Sequence, residues 1–261
     1  MNLVKIHGSL GEQMFQYAFY MALLKHCDDT KLQGDTSRLF EAFNLTHCDE
    51  THILPRRSLV SSLLPGKNKK MTDPADLCCN TTLLDLHDAT FNGKWQSFRY
   101  FENIEADLIA EFSFRNALPT DIRSIMMPIE GSETVALHIH KIKGKENTCT
   151  PDYYNWAIAN INTFIPSPHF IIFTDDEKWA KQYIVGCGNP TIISTVKVSE
   201  PLLLQAIASA RHIIMSNSPL SWWGAYLNRN EDKIVIAPKP WSRIIPDSEI
   251  IPIHWTSIPV T

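Results

Sequence analysis

Hydrophobic positions along the second half of the chain alternate between strand-length apolar runs and helical stripes. Val135-Ala136-Leu137-His138-Ile139 reads as a buried strand, followed by a helix over Asp152 to Phe164. On that helix, Tyr153, Trp156, Ala157, Asn160, Ile161 and Phe164 are expected to share one face at 3.6-residue spacing. His169 to Phe173 reads as a second strand, then Glu177 to Ile184 as a helix and Thr191 to Ser194 as a short strand. Glu200 to Ala210 reads as a helix with Pro201 in its first turn, and His212 to Met215 as a strand. Pro219 to Asn228 reads as a helix, and Lys233 to Ala237 as a strand stopped by Pro238. Strand and helix in regular alternation, joined by short connections, predict a parallel, doubly wound α/β sheet.

The first half opens in the same way. A strand at Leu3–Ile6 runs through Gly8-Ser9-Leu10-Gly11 into a helix whose expected core stripe is Met14, Ala18, Met21 and Leu24. Beyond residue 35 the periodicity fades, and residues 44–86 read as loop-rich. The polar stretch Glu130-Gly131-Ser132-Glu133 marks the expected boundary between a lobe of residues 1–130 and one of residues 131–261. The expected architecture is therefore α/β, with two lobes and a cleft between them.

Composition narrows the classes. At 261 residues, 44% hydrophobic and 20% charged, the chain is globular rather than disordered or fibrous. A formal net charge of −4 argues against general nucleic-acid binding. The longest apolar runs are strand-sized, Phe170 to Phe173 among them, so no membrane-spanning helix is expected. The N-terminus reads as a strand rather than a signal peptide, which implies a cytoplasmic location. Six cysteines without a C-x-x-C spacing read as free thiols. One local exception to the acidic balance is the basic segment of residues 56–70, with five positive charges around an apolar middle. It reads either as a solvated loop or as a peripheral contact with anionic lipid at the inner face of a membrane.

Candidate chemistry gathers at strand ends. Gly8 to Gln13 joins a strand to a helix N-terminus, where converging amides suit an anion or a sugar, or where glycine simply eases a turn. Thr174-Asp175-Asp176 follows a buried strand, the edge at which open α/β sheets bind ligands, and one of its carboxylates would also cap the next helix. Ser216-Asn217-Ser218-Pro219 repeats that arrangement, with Ser218 as N-cap and Pro219 at the first helical position. Trp222 and Trp223 behind it read as core. His138 and His140 lie two apart on a strand and so share a face, but no third metal ligand at telling spacing accompanies them. Lys141, Lys143 and Lys145 extend that strand into a cationic loop suited to a diphosphate, or merely solvated.

Several segments together resemble the bacterial α-1,2-fucosyltransferases. They are Gly8 to Ala18, Gly93-Lys94-Trp95-Gln96-Ser97-Phe98-Arg99-Tyr100-Phe101, Phe173 to Asp176, Asn217 to Asn228, and Lys233 to Pro238 with Trp241. They run in order over nearly the whole chain. The resemblance implies a GT-B-like pair of Rossmann-like lobes and inverting, metal-independent transfer of L-fucose from GDP-fucose to a galactoside 2-hydroxyl, with no cofactor. The implied partners are a nucleotide sugar and a glycan acceptor, lipid-linked in one version, used in building a cell-surface glycan. It assigns donor binding to His138, Asp175, Asp176, Asn217, Ser218 and Ser221 in the C-terminal lobe. It places Gly8, Gly11 and Gln13 on the acceptor side.

Two departures from the family pattern bear on catalysis. The family's donor motif reads His-x-Arg-Arg-Gly-Asp, whereas this chain has His138-Ile139-His140-Lys141-Ile142-Lys143. A fixed planar guanidinium is thus replaced by an imidazole that carries charge only when protonated. His140 and Lys141 become the candidate diphosphate partners. Glu12 stands where the family has Asn, and a carboxylate there is a candidate general base for the acceptor hydroxyl, or a helix-start carboxylate favoured by the dipole. The alternative to an active enzyme is a family member with weakened catalysis that binds a nucleotide or glycan, or one that uses a different nucleotide sugar.

Overall fold

The computed structural model describes residues 1–48, 51–54, 69–127, 131–141 and 149–260. The chain divides into two compact units, Met1–Asn116 and Ala117–Thr261. The division precedes the boundary expected near residue 130. The helix Thr120–Met126 is the reason: it packs on the helix Glu200–Ser209 of the second unit.

Unit 1 contains β1 (Asn2–Ile6), α1 (Leu10–Leu24), β2 (Thr30–Gly34), α2 (Ser37–Ala42), β3 (Ile53–Leu54), β4 (Lys69–Met71), β5 (Ala89–Phe91) and α3 (Glu105–Glu111). Its five strands run parallel in the order β3-β2-β1-β5-β4. β1 is central, paired to β2 from Asn2↔Thr30 to Ile6↔Gly34 and to β5 at Leu3↔Thr90. α1 differs from the expected single stripe: every residue from Gln13 to Leu23 is buried. From Tyr17 to Leu24 its sequence is apolar around the whole circumference, the signature of a helix covered on all sides, and the buried Gln13 and Gln16 lie in its first turns. Of the basic segment, residues 56–68 lie outside the described residues, while Lys69 and Lys70 belong to the edge strand β4 and are exposed.

Unit 2 contains α4 (Thr120–Met126), β6 (Glu133–Ile139), α5 (Pro151–Phe164), β7 (Pro168–Thr174), α6 (Glu177–Tyr183), β8 (Thr191–Ser194), α7 (Glu200–Ser209), β9 (His212–Ile214), α8 (Pro219–Leu227), β10 (Val235–Lys239), α9 (Asp247–Ile250) and β11 (Thr256–Pro259). The six strands are parallel in the order β11-β10-β9-β6-β7-β8. The chain winds outward from β6 through β7 to β8, then returns to the other side of β6 and winds outward through β9. That reversal opens a crevice at the carboxyl ends of β6 and β9, where open parallel sheets receive their ligands. β6 is buried from Thr134 to Ile139, the continuous burial expected of a strand covered on both faces.

α5 buries Tyr153, Tyr154, Ala157, Ile158 and Ile161 against the sheet. The expected stripe is therefore rotated. Trp156 and Phe164 are 48% and 63% exposed, because Tyr154 and Ile158 supply the second apolar row that they were expected to fill. Trp222 and Trp223 are fully buried, as read from the sequence. α7 and α8 pack closely, and a Cβ on Gly224 would stand 2.5 Å from Cγ2 of Ile207. Among the described residues, no helix is long and apolar enough to cross a membrane.

Candidate active site

In unit 2 the carboxyl ends of β6, β7 and β9 bring together most of the residues singled out for donor binding. His138 is 3% exposed, and its Nδ1 lies 3.3 Å from Oγ of Ser216, the second residue beyond β9. Burial, aided by the neighbouring His140, pushes its pKa down to about 3. His138 is therefore a neutral hydrogen-bonding group at working pH and supplies no charge. The two histidine rings lie 6.1 Å apart and nearly parallel, so the shared face read from their spacing is real.

His140 is more open, and its Nδ1 lies 3.2 Å from Oδ2 of Asp175. The Asp175 carboxylate also accepts the backbone N–H of Lys141, at 3.0 and 3.1 Å to its two oxygens. It thus ties the outgoing end of β6 to the end of β7. The Lys141 ammonium sits 4.5 Å over the Trp179 ring and 4.0 Å from Oδ2 of Asp176. Asp176 caps α6 by accepting the Trp179 N–H at 3.0 Å, and Thr174 Oγ1 accepts the Asp176 N–H. Lys143 and Lys145 lie outside the described residues.

The β9–α8 turn has Ser218 as N-cap and Pro219 in the first helical turn, as the sequence implied. Ser221 is fully buried, and its hydroxyl accepts the Ser216 N–H at 3.2 Å, so it braces the turn. Asn217 Oδ1 accepts from the buried thiol of Cys149 at 3.6 Å, and burial pushes that thiol up to about 12, which keeps it protonated. Ser216 was named in the strand-end motif but given no donor-binding role of its own. Its signal was its place next to Asn217, at a strand end opposite His138.

In unit 1 the loop after β1 holds the other candidates. Gly8 has φ +89°, a conformation that disfavours a side chain, and a Cβ there would collide with the Glu12 carboxylate. Ser9 caps α1, so Gly11, expected in the loop, lies inside the helix with Glu12 and Gln13 in the first turn. Glu12 Oε2 accepts from both the N–H and the hydroxyl of Ser9 at 3.1 Å, while Oε1 pairs with the Lys94 ammonium at 3.3 Å. Partial burial pushes this carboxyl up, but the Ser9 backbone bond and the Lys94 charge outweigh it and hold it below the ordinary value. Gln13 donates to the Gly8 carbonyl at 3.2 Å, whereas its buried Oε1 has no partner among the described residues.

Lys94 and the group that places it were not singled out as site residues from the sequence. Asp73 accepts the N–H groups of Lys94 and Trp95, both at 2.8 Å, and Gln16 bridges the His7 N–H to the Gly93 carbonyl. Trp95 has φ +54°, is fully buried and stacks on Phe19 at 4.3 Å. Asp73 lies within the stretch that carries no periodicity, so nothing local in the sequence signals it. Among the described residues, no group of three or more His, Cys, Asp or Glu side chains could hold a metal ion.

Two parallel-sheet α/β units are the fold of the GT-B class, which solved glycosyltransferases share. The E. coli ADP-heptose lipopolysaccharide heptosyltransferase II matches with a TM-score of 0.51 over 98% of this chain and 89% of that one, at 12% identity. The Bradyrhizobium fucosyltransferase NodZ matches with a TM-score of 0.54 over 86% of this chain and 90% of that one, also at 12% identity. The chain belongs to glycosyl transferase family 11, the α-1,2-fucosyltransferase family, whose model matches residues 84–258. An E. coli α-1,2-colitosyltransferase is 24% identical over 92% of this chain and 91% of its own length. The E. coli O-antigen biosynthesis glycosyltransferase WbnK is 31% identical over a shorter region, 43% of this chain and 40% of its own length.

Proposed function

We propose that the protein transfers L-fucose from GDP-fucose to a galactoside 2-hydroxyl, with inversion and without a metal ion. The observation that carries this reading is the gathering of neutral His138, Ser216 and the His140–Asp175 pair at one sheet edge of a family 11 chain. Inverting transfer needs the diphosphate to leave as the acceptor oxygen arrives, so negative charge grows on the leaving group and must be met by donors already in place. His138 contributes a hydrogen bond rather than charge. His140 and Lys141 supply the cationic side, and Ser218 with the first-turn amides of α8 supplies N–H and O–H donors. Glu12 accepts the proton from the acceptor hydroxyl through Oε1, the oxygen that also meets the Lys94 ammonium, since Oε2 takes both the N–H and the hydroxyl of Ser9.

A second reading changes only the sugar. A relative spanning nearly the whole chain is named for α-1,2 transfer of colitose, and His140-Lys141 departs from the fucosyltransferase donor motif. Turnover assays with GDP-fucose, other GDP-sugars and UDP-galactose on a galactoside acceptor, with and without EDTA, separate these cases. GDP release with GDP-fucose that EDTA leaves unchanged is the expected result. Selective turnover of another nucleotide sugar would replace the donor assignment, and binding without turnover on any acceptor would overturn the enzymatic one.

A further inference from the structure

We infer that Asp73 is a positioning residue, which holds the turn Gly93-Lys94-Trp95 so that the Lys94 ammonium meets the Glu12 carboxylate. The inference rests on the reading of Glu12 as base and names what fixes the counter-ion of that base. β4 and β5 pair in parallel as far as Met71↔Phe91, and the Asn92 N–H still reaches the Met71 carbonyl at 2.9 Å. Just beyond, one carboxylate takes over: Asp73 accepts the Lys94 N–H on Oδ2 and the Trp95 N–H on Oδ1, both at 2.8 Å. A Cβ on Gly93 would stand 2.7–2.9 Å from the atoms of that carboxylate, so glycine is what lets it close on the turn. Gln16 of α1 ties the same turn to β1, donating to the Gly93 carbonyl at 3.2 Å and accepting the His7 N–H at 2.9 Å. Trp95 is held at φ +54°, a strained conformation for a bulky residue, with its ring flat on Phe19. Such a backbone persists only where its surroundings impose it, and the paired bonds to Asp73 do so.

Lys94 thus has its backbone fixed and only its side chain left to place. That side chain is 59% exposed, and its ammonium lies 3.3 Å from Oε1 of Glu12. Restraining an exposed lysine costs about as much rotamer entropy as a surface ion pair returns, so the pair depends on where the side chain starts. Asp73 sets that starting point. Besides burial, the groups acting on the Glu12 carboxylate are Ser9, from its own helix start, and Lys94, from this turn. The His7 ring, just past the end of β1, lies 3.5 Å from the Gln16 amide. Asp73 bears on Glu12 in two opposed ways. Its negative charge, acting through space, favours the protonated carboxyl, whereas by placing Lys94 it favours the carboxylate. Removing Asp73 therefore gives opposite signs for the two effects.

The test is titration of the Glu12 carboxyl in the full chain by carbon NMR with labelled glutamate, the signal assigned by its loss in Glu12→Gln. In Lys94→Met the proton affinity of Glu12 is expected to rise, by up to about fivefold, the range of an exposed ion pair. Asp73→Asn keeps the shape but loses the charge and one acceptor, and should raise the affinity by the same amount or less. Combined with Lys94→Met, it should raise the affinity no further. Gly93→Ala crowds the carboxylate from its seat without removing its charge and should act in the same direction, which decides the matter if Asp73→Asn does not fold. The acid limb of kcat/KM should follow the NMR midpoint in each variant. A turn that only holds the fold would shift a urea midpoint and leave the Glu12 titration where it is. A Glu12 midpoint that stays or falls in the folded Asp73 or Gly93 variant overturns the inference and leaves Glu12 standing as base. A further rise in the double variant overturns it as well. If the midpoint rises while the acid limb stays, Asp73 keeps its positioning role and the reading of Glu12 as base fails.

Discussion

Glu12 illustrates how much one side chain can be asked to do. Its Oε2 completes the capping box of α1 and its Oε1 meets Lys94, so the carboxylate is fixed, ionised and weaker as a base than an ordinary glutamate. Removing the ammonium by Lys94→Met is expected to raise the Glu12 pKa, and the acid limb of kcat/KM should move to higher pH with it. Glu12→Gln keeps part of the cap but cannot take a proton, and should lower kcat by about 10²–10⁴-fold. A Lys94→Met enzyme with an unchanged pH profile would remove Glu12 from the acid limb. A Glu12→Gln enzyme of full activity would remove it from catalysis. The sequence alone made Glu12 visible as an acidic residue at a helix start. The Lys94 contact was illegible, because it joins the first turn of α1 to the turn beyond β5, far apart in the chain.

Single elements are fixed in unit 1 by a different carboxylate. Glu111, at the end of α3, is 2% exposed and accepts from the Tyr17 hydroxyl of α1, from the N–H and hydroxyl of Thr46, and from the N–H of His47; its Oε2 also lies 2.9 Å from Nδ1 of His47. Burial opposes its charge, but the Tyr17, His47 and Thr46 bonds outweigh burial and hold it at about 2. The folded value lies below the unfolded one of 4.5, so the stabilisation is complete above that pH and is lost as pH falls from 4.5 towards 2. Glu111→Ala leaves these donors without their acceptor and should cost about 3 kcal/mol at neutral pH. It should also flatten the acid limb of a stability-against-pH curve measured by urea unfolding, and an unchanged limb would refute the assignment. In unit 2 the tight point is Gly224. Gly224→Ala forces α8 away from Ile207 and should destabilise the fold by about 1–3 kcal/mol, the usual cost of overpacking.

For the molecule as a whole, legibility followed strand length. β6 and β7 are seven-residue apolar runs set between helices, and such runs announce a parallel sheet. β3, β4 and β5 have two or three residues each, too few to display alternation, so most of the first sheet was invisible before the fold was known. The residues proposed for the donor were placed for the same reason: His138, Asp175 and Asn217 stand at or just beyond the ends of strands the sequence declares. The turn around Lys94 hangs from Asp73 in a stretch without periodicity, and only the folded chain displays it. Because the residues proposed to bind the donor sit at the ends of interior strands of unit 2, GDP-fucose at a hundred times its Kd should, on that proposal, stabilise the unit by about 2.7 kcal/mol. The corresponding rise in its melting temperature is roughly 5–10 °C, and a calorimetric scan in which no transition moves would count against donor binding there.

The strand order also imposes a timetable on synthesis. β6 is paired with β7 on one side soon after both are made, but its other neighbour is β9, which the ribosome delivers only after β8 and α7. Until Ser216 has emerged, His138 lacks its partner and the crevice has one wall. A nascent chain therefore cannot be helped into shape by a nucleotide sugar while most of unit 2 is being translated. Truncation anywhere before β9 leaves a sheet whose central strand exposes an open edge to other chains.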